Sequence, residues 1–217
     1  MNIKEHTVPF FYLEIENFLT AEDNLELYRL CKEQISLNNL QVNELIKTPS
    51  SYGLDIMMDD VNSPKSNLVL SDIIKTKLNN ISINNFNSSV GYWEYGIQAH
   101  TDVELYPHTD DPIQMFKDVK AGIRPPRGDE YSIIKGLIYI GNPDIEYKDY
   151  GTRIYTSESI DSEVTEIKFI PGNAIIFKCD DKSFHGTNFK SGFDEDRFTI
   201  GMEYIVPLKY LLNNLDN

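Results

Sequence analysis

From residue 88 onward the sequence consists of short runs of branched and aromatic residues separated by Gly, Pro, Asn and Asp. Runs of this kind, with turn residues between them and no helical periodicity, are typical of β-strands. Seven occur in succession: SVGYWEYGI, VELY, IIKGLIYIG, GTRIYTS, VTEIKFI, NAIIFKCD and RFTIGMEYIV. Their density predicts a mainly β fold with a double-sheet or barrel-like core and helices outside it.

The N-terminal part has a different pattern. Residues 8–19 predict a strand, and residues 21–37 predict an amphipathic helix that begins after a capping pair, Thr20 and Asp23. Residues 38–62 predict loops with one short strand, and residues 63–79 predict a second helix that starts at a Ser-Pro pair.

The length of the chain, 217 residues, is that of one domain with a sizeable core. We therefore expect a single domain over residues 1–217. Residues 1–87 would pack a strand and helices on a β core formed by residues 88–206. The C-terminal residues LLNNLDN are expected to fray.

The net charge limits the partners of the protein. Twenty Lys and Arg residues against 34 Asp and Glu give a formal charge of −14, which repels nucleic acid and anionic lipid surfaces. Cys31 and Cys179 form no disulfide framework. The sequence also has no secretory leader pattern and no apolar window of about 18 residues. We expect a cytoplasmic protein with reduced thiols that binds neither nucleic acid nor membrane.

The motif with the clearest chemistry is YPHTDD, in which His108 and Asp110 are two residues apart. Side chains at this spacing on a strand share one face, so both can reach one ion. His185 follows the apolar run NAIIFKCD and supplies a second imidazole. Two histidines and one carboxylate occupy one face of an octahedral iron(II) and leave three positions for other ligands.

The HTD tripeptide occurs twice, at residues 100–102 and 108–110. We favour the second copy because a proline precedes it and an irregular loop over residues 111–132 follows, which is a usual setting for a site. His100 and Asp102 would then be strand or turn residues near the mouth of the pocket.

The order of several motifs carries a family resemblance. PHTDD, KGLIYIGN, YGTRIY, FIPGNAIIFKCDDKSFHGTN and DRFTIGMEY follow one another along the chain. This series resembles the iron(II)- and 2-oxoglutarate-dependent oxygenase superfamily, in particular its prolyl-4-hydroxylase-like members. The resemblance implies a double-stranded β-helix, or jelly roll. It also implies Fe(II) held by His108, Asp110 and His185, with 2-oxoglutarate and O2 as co-substrates.

The same resemblance assigns the co-substrate site. Arg197, twelve residues after His185, would pair with the far carboxylate of 2-oxoglutarate, and Thr199 would add a hydroxyl donor. Tyr106 and Tyr139 are further candidates for this site. Without the resemblance, Arg197 would be a surface partner of neighbouring acidic residues, and the tyrosines would be packing residues.

The substrate side is less specific. The segment 111–132 is a candidate lid or a surface loop, and its Arg124 and Arg127 would suit an anionic group. Many relatives have a glycine pair before the strand that begins near Thr152, whereas this chain has the single Gly151, so Thr152 is a candidate substrate contact.

The predicted activity is hydroxylation of an unactivated C–H bond in a small-molecule or peptidyl substrate, with release of succinate and CO2. Desaturation or cyclisation would use the same centre. The alternatives are a cupin-like metal dioxygenase that does not use 2-oxoglutarate, a non-catalytic jelly-roll binding protein, and a zinc hydrolase. The last is disfavoured because no glutamate general base adjoins a ligand. The sequence does not indicate the substrate or the oligomeric state.

Overall fold

The computed structural model describes residues 1–37, 56–57, 92–100, 105–124, 130–148, 150–187 and 197–213. The strands are β1 (Asn2–His6), β2 (Tyr12–Glu16), β3 (Ile56–Met57), β4 (Tyr92–His100), β5 (Leu105–His108), β6 (Glu130–Ile140), β7 (Thr152–Tyr155), β8 (Glu163–Ile167), β9 (Ala174–Lys178), β10 (His185–Thr187) and β11 (Arg197–Pro207). The α-helices are α1 (Ala21–Leu37), α2 (Pro112–Lys120) and α3 (Leu208–Asn213), and a 3-10 helix covers Ile160–Ser162.

The strands form two antiparallel sheets. The major sheet has the order β1-β2-β9-β6-β11-β4-β3, and the minor sheet has the order β5-β10-β7-β8. From β4 onward the chain passes repeatedly between them, because β4, β6, β9 and β11 belong to the major sheet and the intervening strands to the minor sheet. This is the jelly-roll arrangement, and it confirms the predicted mainly β fold with flanking helices.

Helix α1 begins where the sequence predicts. The backbone N–H of Asp23 donates to Thr20 Oγ1 at 3.0 Å, and the N–H of Thr20 donates to Asp23 Oδ2 at 3.3 Å. These reciprocal bonds satisfy backbone donors that the first turn leaves free. The helix packs its apolar side, including Leu27 and Cys31, in one hydrophobic cluster with residues of the major sheet.

Strand alternation separates the two faces of the major sheet. On β6, Ile134 and Ile138 belong to the cluster that includes α1. Tyr139 and the partly buried Leu137 belong to a second cluster with Ile154 of the minor sheet. Because side chains alternate along a strand, Lys135, Leu137 and Tyr139 share the face directed between the sheets. This interior contains the candidate site.

The structure corrects the loop prediction for residues 111–132, because residues 112–120 form helix α2. Asp111 caps it by accepting from the N–H of Ile113 at 3.0 Å, and Pro112 occupies the first turn. An Asp-Pro helix start was therefore present in the sequence. The first residues of the predicted frayed tail also lie in α3. The predicted helix 63–79 lies outside the described residues, as does most of segment 38–62.

None of the helices in the described ranges has the length and apolar character needed to cross a membrane.

Candidate metal centre

The two candidate histidines meet at the edge of the minor sheet. His108 is the last residue of β5, His185 is the first residue of β10, and the two are paired in the antiparallel register. Asp110 lies beyond the end of β5, just before the cap of α2. The carboxylate therefore reaches the imidazoles from the loop after the strand, and not from a shared strand face as the spacing argument assumed.

The three side chains can bind one metal ion. One donor atom from each of His108, Asp110 and His185 lies within 4.8 Å of the other two, and the imidazole centroids are 4.5 Å apart. His108 Nδ1 is 2.9 Å from the carbonyl oxygen of Tyr106, and His185 Nδ1 is 2.8 Å from that of Ser183. A carbonyl accepts from a protonated Nδ1, so in each ring Nε2 is the nitrogen available to a metal.

A half-buried lysine and a glutamate continue this cluster. Nζ of Lys135 on β6 is 3.0 Å from Asp110 Oδ2 and 3.2 Å from Oε1 of Glu203 on β11. Lys135 and Glu203 are direct cross-strand partners. His185 Nε2 is 3.3 Å from the same oxygen of Asp110.

These neighbours determine the charge states. Burial by itself would raise the pKa of Asp110, but Lys135 and then His185 hold that pKa well below its ordinary value. Burial would lower the pKa of Lys135, yet Asp110 and Glu203 raise it above the usual range. For His108, burial and then the charge of His185 lower the pKa. At neutral pH the centre therefore has an ionised aspartate, a protonated lysine and a neutral His108.

The donor set fits a divalent metal. Asp110 is 9% exposed, and its Oδ2 has no hydrogen bond of good geometry within the described part of the chain. Thr187 lies two residues after His185 on the same strand face, and its buried hydroxyl likewise has no partner among the described residues. The ion pair with Lys135 at 3.0 Å offsets part of the cost of burying the Asp110 carboxylate, and a bound cation would offset more of it. Two imidazoles and one carboxylate match the ligand set of non-haem iron(II).

Two residues predicted for the co-substrate site lie side by side in the interior. Thr199 of β11 and Tyr139 of β6 are paired in register, and both are almost fully buried. The Tyr139 hydroxyl is 2.7 Å from Thr152 Oγ1. The hydroxyl of Thr199 has no hydrogen-bond partner among the residues described here. Arg197 is the first residue of β11, two before Thr199 on the same strand.

The other residues predicted for the site lie at scattered positions. Thr152 is fully buried behind Tyr139. Tyr106 is 68% exposed and contributes its carbonyl oxygen to His108. The exposed Arg124 has its Nε 3.3 Å from Asp118 Oδ2. Arg127 lies outside the described residues, and so does Asp102; His100 is described through its backbone only, in register with Arg197.

Three residues of this region, Lys135, Glu203 and Phe177, were not predicted from the sequence. A lysine inside the apolar run IIKGLIYI was the available indication, since a charge in a buried strand requires a partner. The ring of Phe177 on β9 contacts that of His185, with centroids 4.5 Å apart. Phe177 is also the cross-strand partner of Lys135. An apolar ring of this kind has no distinguishing feature in the sequence.

No protein-family model matches the chain, and no curated protein is similar to it in sequence. Solved structures with the same fold were found. A prolyl hydroxylase from Trichoplax adhaerens, in complex with a hypoxia-inducible factor oxygen degradation domain peptide fragment, has a TM-score of 0.58 at 16% identity, covering 89% of this chain and 82% of that one. A Pseudomonas putida prolyl-4-hydroxylase gives 0.54 at 13% identity, covering 90% and 92%.

HygX from Streptomyces hygroscopicus, solved with nickel and 2-oxoglutarate bound, has a TM-score of 0.52 at 15% identity, covering 90% of this chain and 82% of HygX. The chain therefore has the jelly-roll fold of the prolyl hydroxylases and of other 2-oxoglutarate-dependent oxygenases.

Proposed function

We propose that this protein is an iron(II)- and 2-oxoglutarate-dependent oxygenase that hydroxylates an unactivated C–H bond. The observation that carries the proposal is the meeting of His108, Asp110 and His185 at paired strand ends, with their donor atoms within 4.8 Å of one another, on this fold. A jelly roll alone does not define an activity. The donor set, together with the buried hydroxyls nearby, favours this reaction class over a binding protein.

In this proposal the three metal ligands are oriented before the metal binds. The two carbonyl contacts orient His108 and His185, so that in each ring Nε2 is the nitrogen available to a cation. Asp110 is ionised for the same purpose. Iron(II) with 2-oxoglutarate, when bound, supplies oxygen activation coupled to loss of CO2 and formation of succinate. The protein binds, orients and shields the reactants.

The far carboxylate of 2-oxoglutarate would bind Arg197, with a hydroxyl donor from Thr199 and the Tyr139 side chain beside it. Supporting this assignment, the Thr199 hydroxyl is buried without a partner among the described residues, and its cross-strand neighbour Tyr139 adds a second hydroxyl at the same level of the sheet. An arginine can bind both oxygens of a carboxylate with two parallel hydrogen bonds. Thr152 would orient the Tyr139 hydroxyl through their 2.7 Å contact.

The substrate would be a small molecule or a peptide. The Trichoplax adhaerens prolyl hydroxylase is named with a bound peptide fragment, which makes a peptidyl substrate one option here. Arg124 and Arg127 remain candidates for contacting an anionic group, and the segment 111–132 remains a candidate lid.

Anaerobic titration with iron(II) and then 2-oxoglutarate tests the proposal. Chelation of the metal by the co-substrate should produce a weak visible charge-transfer band in the wild type. The band should be lost in His108→Ala and should require much more 2-oxoglutarate in Arg197→Ala. His100→Ala is the matched control, because it removes the histidine of the other HTD copy.

A band that depends on His100 and survives His108→Ala would place the metal at the other tripeptide. Metal binding without any band would favour a metal enzyme that does not use 2-oxoglutarate. Absence of metal binding would favour a non-catalytic jelly-roll protein.

A further inference from the structure

A charged residue interrupts the apolar face of β6 beside the metal centre. The Lys135 side chain is 26% exposed, and its Nζ contacts Asp110 at 3.0 Å and Glu203 at 3.2 Å. Burying an ammonium group is costly unless it is paired, and both partners here are carboxylates. Apolar residues of similar volume at such positions are often neutral or stabilising, so stability alone is a weak reason for an ion pair here.

The position of Lys135 places its positive charge where it affects the binding of ions at the metal centre. Nζ lies one contact away from a carboxylate oxygen that would bind the metal, so a cation bound by Asp110 would feel its positive charge at short range. Like charges repel and opposite charges attract with an energy that falls with distance, and the effect is strong where water is largely excluded. The same ammonium group therefore disfavours a divalent cation and favours an anion beside that cation.

We propose that Lys135, held by Glu203, is a positioning residue that fixes the Asp110 carboxylate and shifts the centre from binding a bare metal toward binding a metal together with an anionic ligand. The inference rests on the proposed function only where it identifies the anion as 2-oxoglutarate. Glu203 acts in the opposite sense, because it offsets the lysine charge from the far side. Compared with a centre that lacks the lysine charge, this centre would bind a metal ion alone less tightly. Once the metal is present, it would bind the anionic co-substrate more tightly.

Two effects oppose each other when Lys135 is replaced by methionine. Losing a hydrogen-bonding neighbour of a metal ligand typically weakens metal binding by about 10- to 100-fold. Removing a unit positive charge within a few ångströms of a divalent ion acts in the other direction and is the larger effect at the effective dielectric constant of such sites. We therefore expect cobalt(II) to bind Lys135→Met about tenfold more tightly, and 2-oxoglutarate to bind the cobalt-loaded variant about tenfold more weakly.

Glu203→Gln should give the reverse pattern, with weaker cobalt(II) binding and tighter 2-oxoglutarate binding, both severalfold. Its effect should be smaller because Glu203 is 35% exposed and does not touch Asp110. Lys135→Arg keeps the charge and should resemble the wild type. Lys178→Met is the matched control, since Lys178 is an exposed lysine at the end of β9.

Calorimetric titration provides the test. Cobalt(II) is titrated into the metal-free protein, and 2-oxoglutarate is then titrated into the cobalt-loaded protein, for each variant at one fixed ionic strength. Opposite changes for the cation and the anion, reversed between Lys135→Met and Glu203→Gln, would support the inference. A purely structural role would weaken both ligands together, and that result, or no change in either, would overturn it.

The cobalt arm keeps this test separate from the proposed function. If the wild type binds cobalt(II) but not 2-oxoglutarate, the proposed function fails, while the opposite cobalt shifts of the two variants still decide the role of Lys135. If Lys135→Met shows no cooperative thermal transition, Glu203→Gln decides alone, and tighter or unchanged cobalt(II) binding in that variant would overturn the inference.

Discussion

Replacing Thr199 with valine should stabilise the metal-free protein and weaken its binding of 2-oxoglutarate. Thr199 is 1% exposed, and its Oγ1 has no hydrogen-bond partner in the described part of the chain. Valine has nearly the same shape and replaces the hydroxyl with a methyl group. The substitution therefore removes an unsatisfied polar atom from the interior and, at the same time, a donor proposed for the co-substrate carboxylate.

The stability change follows from the cost of the buried hydroxyl. Mutational data place the cost of a buried hydroxyl without a partner at about 1–3 kcal/mol. We expect the free energy of unfolding to rise by about 1 kcal/mol, at the low end of this range. For a domain of this size the melting temperature should rise by about 2–4 °C.

The ligand effect has the opposite sign. A hydrogen bond to a charged acceptor contributes about 1.5–3 kcal/mol, so loss of the Thr199 donor should raise the dissociation constant of 2-oxoglutarate by about tenfold or more. Metal affinity should not change, because the Thr199 hydroxyl makes no hydrogen bond to the three candidate metal ligands. The variant would then be more stable and bind co-substrate less well.

Urea unfolding in the presence of a chelator measures the first change, and calorimetric titration of the cobalt-loaded protein measures the second. Thr152→Val is the matched control, since the Thr152 hydroxyl is bonded to Tyr139 at 2.7 Å and its loss should lower stability by about 1 kcal/mol. The reasoning is refuted if Thr199→Val is less stable than the wild type, or if both substitutions change stability in the same direction.

Three further changes test other parts of the structure. Tyr139→Phe removes the hydroxyl that contacts Thr152 and should lower the unfolding free energy by about 1 kcal/mol in urea while weakening 2-oxoglutarate binding. Burial raises the pKa of Cys31 to about 12 in the folded protein. The buried thiol therefore contributes fully to the free energy of unfolding below the unfolded thiol pKa of about 8.5, and this contribution is lost as the pH rises toward 12. The stability difference between wild type and Cys31→Ala should shrink over that range, and a constant difference would contradict the assignment. Gly151→Ala places a Cβ 2.2 Å from the carbonyl oxygen of Ile167, so it should cost about 3 kcal/mol in thermal or urea unfolding; a neutral result would contradict this packing.

Much of the fold could be predicted because it depends on local patterns. Helix α1 and its capping pair follow from Thr20, Asp23 and the apolar spacing after them, and each of the seven β runs overlaps a strand. Helix α2 was missed because the segment 111–132 is rich in Gly and Pro, and those residues lie beyond the helix and at its first turn rather than inside it. The short strand β10 was missed because three residues are too few to show periodicity.

The candidate site was predictable only in part. His108, Asp110 and His185 could be proposed because a short motif and a family resemblance mark them. Lys135 and Glu203 lie 68 residues apart in sequence (203 − 135), and the pairing of β6 with β11 makes them neighbours. A cross-strand ion pair formed by distant segments leaves no local pattern, so it requires the sheet register.

The register of β6 and β11 also places two cross-strand pairs with different proposed roles on one interior face. Lys135 pairs with Glu203 at one level of the β6–β11 ladder, and Tyr139 pairs with Thr199 four residues further along, about 13 Å away at the usual rise of a strand. The first pair adjoins Asp110, and the second provides hydroxyls proposed for the far end of 2-oxoglutarate. A change at Lys135 should therefore alter metal and anion binding in opposite directions, whereas a change at Thr199 should alter anion binding alone. The two results together distinguish a charge beside the metal from a donor at the opposite end of the ligand.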